Sequence, residues 1–180
     1  MPGHQIRPGV VADYAEIGNA HAAAWEAAYT HIFDSSFLAA AAQGRRVGWQ
    51  HSIARIVAAP GILLVGEADG AVRAFAHAVP VGDGSHHAQI LGFFAHPDVW
   101  GTGLAILLMR QTCEALAASG YHEVVLWTPR EADQARHFYE KVGFALTGRA
   151  RNDRVTDWGS ASADCPEIEY GRQLPSVTSA

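Results

Sequence analysis

With 180 residues, 49% of them hydrophobic and 17% charged, the chain has the composition of one globular domain with room for a sizeable core. Its net charge of −5 argues against the basic face that a nucleic acid requires and is compatible with a cationic small molecule. No apolar run approaches the roughly 18 residues that span a bilayer, and "MPGHQIRPGV" lacks a signal-peptide core. A cytoplasmic location without a membrane partner is therefore expected.

In chain order, a short apolar segment around Ile6 precedes Asp13, a candidate helix cap, and an Ala-rich stretch from Tyr14 to Tyr29 suits a helix. A second helix is expected from Ser35 or Ser36 through Arg45 toward Ile56, ended by Ala58-Ala59-Pro60-Gly61. "ILLVGEADGAVRAFAHAVPV" reads as two strands around the turn Ala68-Asp69-Gly70. "GDGSHH" reads as a loop, "AQILGFFAHP" as a core strand, and residues 103 to 119 as a helix stopped by Gly120. The strand "HEVVLWTP" follows, then a short helix from Glu131 to Lys141, a polar loop, and "EIEYGRQL" as a closing strand. Residues 1–174 are expected to form a single domain, with 175–180 as a flexible tail. This order predicts an α+β fold, a mixed sheet flanked by helices, with one crossover unit from residue 88 to residue 128. Cys113 falls in an apolar helical pattern and Cys165 in the polar loop, and their spacing suits two reduced thiols better than a disulfide or a zinc site.

The crossover turn, Trp100-Gly101-Thr102-Gly103-Leu104-Ala105, is where such a unit binds anions. It lacks the Gly-Lys-Ser/Thr ending of a Walker turn. It also lacks a third glycine at Ile106, and Thr128 stands where a dinucleotide fingerprint needs an acid. No carboxylate occupies the segment from Gly101 to Ile106, so the first amides of the helix have no internal anion. An incoming pyrophosphate would gain about 1 to 2 kcal/mol from the helix terminus. The same residues equally describe a glycine-rich helix start with nothing bound.

The run from Pro97 to Ala105 resembles the acyl-CoA pyrophosphate loop of the GNAT family of N-acetyltransferases. "ADQARHFYEKVGF", residues 132 to 144, is similar to that family's second block. "HAAAWEAAYTHIFDSSFL" and "EIEYGRQL" are similar to the first two helices and the last strand of a bacterial subgroup, so the likeness extends over nearly the whole chain. The resemblance implies the acyl-CoA N-acyltransferase fold, a largely antiparallel central sheet flanked by helices. It also implies acetyl-CoA as donor, with direct transfer of the acetyl group to an amine; no metal is expected. The main chain of Phe93, Phe94 and Ala95 would hold the pantetheine arm as an added strand, with an N–H toward the thioester oxygen. Trp100, Gly101, Thr102, Gly103, Leu104 and Ala105 would hold the pyrophosphate, and Ala132 and Phe138 would join the cofactor-binding set.

Tyr139 matches the family's tyrosine, the hydrogen-bond donor or acid at the thioester sulfur; without the resemblance it reads as a core tyrosine beside Phe138. Reference pKa values of about 10 for the phenol and about 8.5 for a thiol make full proton transfer uphill by roughly 2 kcal/mol, which favours hydrogen bonding to the thiolate. Gln89 stands where many relatives carry a glutamate base, and it could only position a water or the acceptor. His77 on the neighbouring strand has a suitable reference pKa and is the base candidate, against the common alternative of a structural histidine. Trp100 stands where relatives usually carry Arg or Gln, with its indole N–H as a substitute donor. Ala132 replaces a frequent Asn.

His21, Trp25 and Tyr29 share a helix face. They form either a packing stripe or an aromatic wall in which Trp25 and Tyr29 bind the acceptor, with Glu26 and Asp34 attracting an ammonium. His86 and His87 with Asp83 lack a convincing metal set. The acceptor is expected to be a small-molecule amine or a peptide N-terminus, with a protein lysine as a weaker third possibility. Homodimer formation stays open. An acyl-CoA sensor with little turnover is the alternative that Gln89 and Trp100 keep in play.

Overall fold

A computed structural model describes residues 3–82, 86–157 and 159–175. The chain enters through β1 (Gln5–Pro8), a 3-10 turn at Val11–Asp13 and two helices, α1 (Tyr14–Ala28) and α2 (Ser35–Ala58). The hairpin follows as β2 (Ile62–Ala68) and β3 (Ala71–Pro80), turned by Asp69 and Gly70, both at positive φ (52° and 77°) as the tight turn demands. Next come β4 (His87–Ala95), α3 (Leu104–Ala118), β5 (Glu123–Pro129) and α4 (Asp133–Lys141). The chain closes with β6 (Ala145–Thr156) and β7 (Ser162–Gln173).

Seven strands form one sheet in the order β1-β2-β3-β4-β5-β7-β6, antiparallel throughout except for the parallel pair β4–β5. On one face Met109, Cys113 and Leu116 of α3 and Tyr139 of α4 cover Ala88, Ile90, Val124 and Leu126. On the other, Ile17 of α1 and Trp49 and Ile53 of α2 cover Val65, Val72 and Phe75. The helices α1 and α2 approach closely because Gly18 has no Cβ, which would collide with the carbonyl oxygen of Arg46.

Several sequence expectations are corrected here. Asp13 does not cap α1 with its side chain; its carboxylate accepts from Val10 N at 2.8 Å and pairs with Arg7 at 2.7 Å. The polar stretch after α4 is not a loop but the strand β6. It lies at the sheet edge with both faces largely exposed, Leu146 at 53%, so it carries no apolar alternation by which to be recognised. The closing strand begins earlier than "EIEYGRQL", at Ser162, and places Cys165 in the core rather than in a loop. Both cysteines are free. All of the 175–180 tail except Pro175, and residues 83–85 of the "GDGSHH" loop, lie outside the described residues.

One irregularity positions everything that follows. β4 and β5 pair only from His87–Ile90 to Glu123–Leu126, and beyond that point the two strands part. At the same place a bulge at Leu91 shifts β4 against β3, with Ala78 opposite Ile90 but His77 opposite Gly92. The sheet therefore splits at its centre.

Candidate active site

The split leaves the β5-facing edge of Phe93 to Ala95 without a strand partner. His96 N donates to Arg73 O of the β3 side at 2.7 Å, so strand alternation turns the N–H groups of Phe93 and Ala95 into the gap. The Ala95 carbonyl on that side is already taken, accepting from Trp100 Nε1 at 2.8 Å. This corrects the reading of Trp100 as a substitute donor to an anion: its indole N–H ties the crossover turn to the end of β4.

The turn itself is built by two left-handed glycines, Gly101 at φ 77° and Gly103 at φ 92°. Thr102 Oγ1 donates to Val99 O at 2.8 Å and lies 3.4 Å from Leu104 N, and Leu107 N donates to Gly103 O at 3.0 Å. Among the described residues the amides of Gly101, Gly103, Ala105 and Ile106 have no acceptor, and no acid stands in the first turn of α3. A Cβ at either glycine would meet nothing within 4 Å, so the space above these amides is open. Four unanswered N–H groups at a helix terminus fit a pyrophosphate. Leu104 contributes from below, its side chain fully buried.

A cavity of about 440 Å³ runs from this turn along the open edge of β4. Phe93, Phe94 and Ala95 form its floor, Trp100, Gly101 and Ala105 one end, and Ala132, Phe138 and Tyr139 of the α4 region one wall. Phe93 and Phe138 stack at 5.4 Å. Tyr139 is buried, its hydroxyl has no partner among the described residues, and burial pushes its pKa up, so at neutral pH it is a phenol able to donate. Gln134 and His31, neither singled out by sequence, also line this cavity; His31 Nε2 lies 2.8 Å from Glu131 O and so bridges the α1–α2 and β5–α4 connections.

A second cavity, about 290 Å³, adjoins β4 nearer its paired end, at Gln89 to Leu91. His21, Trp25, Tyr29 and Phe33 form an aromatic wall, with Trp25 stacked on Phe33 at 5.6 Å and edge-on to Tyr29 at 4.8 Å. Gln89 and Leu91 of β4 and Trp127 of β5 face them. Arg151, Asp153 and Glu167 enter from β6 and β7. Tyr29 and Phe94 line both cavities, so the two meet there.

The charged groups of this second cavity escaped sequence reasoning, because three separate elements deliver them. Glu167 is buried and accepts from Arg151 Nε at 2.7 Å and Nη2 at 2.6 Å; desolvation outweighs the arginine and raises its pKa. Arg151 lies over the Trp127 ring at 4.4 Å and 3.8 Å from Asp153. Arg45 lies over Trp25 at 3.2 Å and donates to Ala41 O at 2.9 Å, and burial pulls its pKa down to about 10. Trp25 Nε1 is buried without an acceptor.

Other candidates are placed elsewhere. His77 lines neither cavity, and burial lowers its pKa. His21 is half-buried, packs against Phe94 at 4.4 Å, accepts from Trp49 Nε1 at 3.2 Å and is held neutral, its pKa pushed down to about 3. Asp34 caps α2, accepting from Ser36 N and Phe37 N at 3.1 and 2.9 Å, and Glu26 pairs with Arg46 at 3.8 Å. Neither acid lines the second cavity. His86 stacks on His122 at 4.8 Å. Among the described residues no group of three or more His, Cys, Asp or Glu is placed to hold a metal ion.

The acetyltransferase (GNAT) family model matches residues 19–144. Among solved structures, the chain is similar to PaiA N-acetyltransferase of Thermoplasma acidophilum in complex with coenzyme A, with a TM-score of 0.77 at 16% identity over 96% of this chain and 99% of that one. It is similar as well to the ribosomal-protein-S18-alanine N-acetyltransferase of Escherichia coli (0.69, 17%, 98% and 97%) and to Ard1 of Thermoplasma volcanium (0.65, 17%, 96% and 98%). No curated protein matches the sequence.

Proposed function

The chain belongs to the acetyltransferase (GNAT) family and is an acetyl-CoA-dependent acyltransferase; on that premise we propose that the larger cavity takes the CoA arm and the smaller one a primary amine of a small molecule. The observation that carries this is the meeting of the two cavities at Tyr29 and Phe94, beside the split in the sheet. Acetyl-CoA supplies an activated acyl group, and the residues around it supply position, charge and proton paths.

The amides of Gly101, Gly103, Ala105 and Ile106 bind the pyrophosphate, and the amides of Phe93 and Ala95 bind the pantetheine arm in place of the missing strand. Trp100 holds that edge in shape. Tyr139 donates a hydrogen bond to the sulfur as the C–S bond breaks; because burial raises its pKa, it keeps its proton until negative charge develops there. Tyr29 and Trp25 wall the amine.

An alkylammonium with a reference pKa near 10.4 costs about 4 to 5 kcal/mol to deprotonate at pH 7. Glu167 is the group for that proton, since it lines the acceptor cavity and burial moves its pKa toward neutrality, and Gln89 positions the amine or a relaying water. His77 has no part in this reading. Incubation with acetyl-CoA and a broad panel of amines, following free CoA thiol, tests it. Amine-dependent thiol release is the expected result; donor binding without release across the panel would favour a CoA sensor.

A further inference from the structure

Arg45 reaches the smaller cavity from α2 as a cation with almost nothing to answer it. A guanidinium carries five N–H donors; here one protein bond is formed, to Ala41 O at 2.9 Å, and among the described residues no acid pairs with it. Its neighbour Arg46 pairs with Glu26, and Arg151 on the far side of the cavity takes Glu167. Solvent alone does not explain the difference, because Arg45 is half-buried and lies on the Trp25 ring at 3.2 Å. A half-buried charge without a partner is costly, and an anionic ligand that paired with it would return that cost.

Charge is also divided across the cavity. The groups that Arg45 senses are Tyr29 and His21 on the helix side, whereas Glu167 and Asp153 stand on β7 and β6 with Arg151 between them. One wall therefore offers a free cation, and the other presents carboxylates. A cavity of about 290 Å³ suits a molecule of amino-acid size.

We infer that the acceptor is a small amino acid that carries a free carboxylate beside its amine, and that Arg45 binds this carboxylate while the amine lies at the Tyr29–Phe94 junction. The inference rests on the smaller cavity being the acceptor site. Guanidinium suits it better than an ammonium would, since its planar fork meets a carboxylate in two parallel hydrogen bonds.

Binding is measured first, because it does not need turnover. With CoA present, N-acetyl derivatives of the proteinogenic amino acids are titrated calorimetrically against their primary amides, on the wild type and on Arg45→Gln and Arg45→Lys, each checked for an intact fold by its affinity for acetyl-CoA. At least one acid should bind the wild type roughly 10- to 100-fold more tightly than its amide. Arg45→Gln should bring that ratio close to one, and Arg45→Lys should keep part of it. Equal binding of acids and amides, no binding of any acid, or a ratio unchanged in Arg45→Gln would overturn the inference. Thiol release is then followed with the matching free amino acids and with the amines that lack the carboxylate. If acids bind through Arg45 but release never occurs, the carboxylate site stands and the transfer reading falls; if release is as fast with amines lacking the carboxylate, transfer stands and the assignment of Arg45 falls.

Discussion

The two cavities along β4 are made of different materials. The larger sets backbone donors, a strand edge without a partner and the free amides of the adjoining glycine turn, among uncharged alanine and aromatic side chains such as Ala105, Ala132, Phe93 and Phe138. The smaller is an assembly of bulky and charged side chains, Trp25, Arg45, Trp127, Arg151 and Glu167 among them, drawn from α1, α2, β5, β6 and β7. On the proposed roles, the backbone donors recognise what is common to every acyl-CoA, and the side-chain site sets which acceptor is taken. Mutations on the two sides should therefore separate into effects on donor affinity and effects on acceptor turnover.

The largest expected effect falls at Tyr139, on the wall of the larger cavity. Tyr139→Phe should lower kcat by about 100-fold while acetyl-CoA affinity stays within about threefold, because the lost hydroxyl is needed mainly as charge develops on sulfur. Stopped-flow thiol detection together with calorimetry of acetyl-CoA distinguishes this from a packing defect, which would move both numbers.

Glu167→Gln follows, with kcat/KM expected to fall about 30-fold near neutral pH and the acidic limb of the pH profile to disappear. Glu167 has a raised pKa, so the wild type loses the ionised base as pH falls through that raised value, and the amide has nothing to titrate. The stability effect has the opposite sign. The folded state holds the Glu167 proton more tightly than the unfolded chain, so this residue's contribution weakens as pH rises from the ordinary glutamate range through the raised pKa. A pH–rate profile that keeps its acidic limb in the variant would remove Glu167 from the proton path.

On the donor side, Gly103→Val should weaken acetyl-CoA binding by about 10-fold or more. A Cβ there meets open space, but φ 92° is strained for a β-branched residue, and the turn that aims the amides must change. Trp100→Ala should cost only about two- to threefold in affinity, since its indole N–H is spent on Ala95 O rather than on the ligand. Isothermal titration of both variants gives the ranking, and a larger loss for Trp100→Ala would mean that the side chain, not the backbone, recognises the donor.

The same contrast explains what was legible in the sequence. "WGTGLA" and "ARHFYEKVGF" each describe a local geometry, a left-handed glycine turn before a helix and a helix presenting Tyr139, and the structure puts both on the larger cavity. Arg45 could not be found that way, because the pair Arg45-Arg46 within a helix looks like a solvated face until α1 is packed on it. Glu167 sits in a segment that reads correctly as a strand, yet its role depends on β6, whose exposed residues carry no alternating pattern. Asp34 shows the reverse error. A carboxylate near the aromatic stripe suggested an ammonium ligand, while its position three residues before Phe37 already described an N-cap.

The most direct measurement is a crystal structure with CoA and an N-acetylated amino acid bound together. The expected result has the pyrophosphate on the amides of Gly101 to Ile106, the sulfur within about 3.5 Å of the Tyr139 hydroxyl, and the acetyl group between Tyr29 and Phe94. CoA bound away from the β4–β5 split, or an acetyl group outside the junction of the two cavities, would contradict the account.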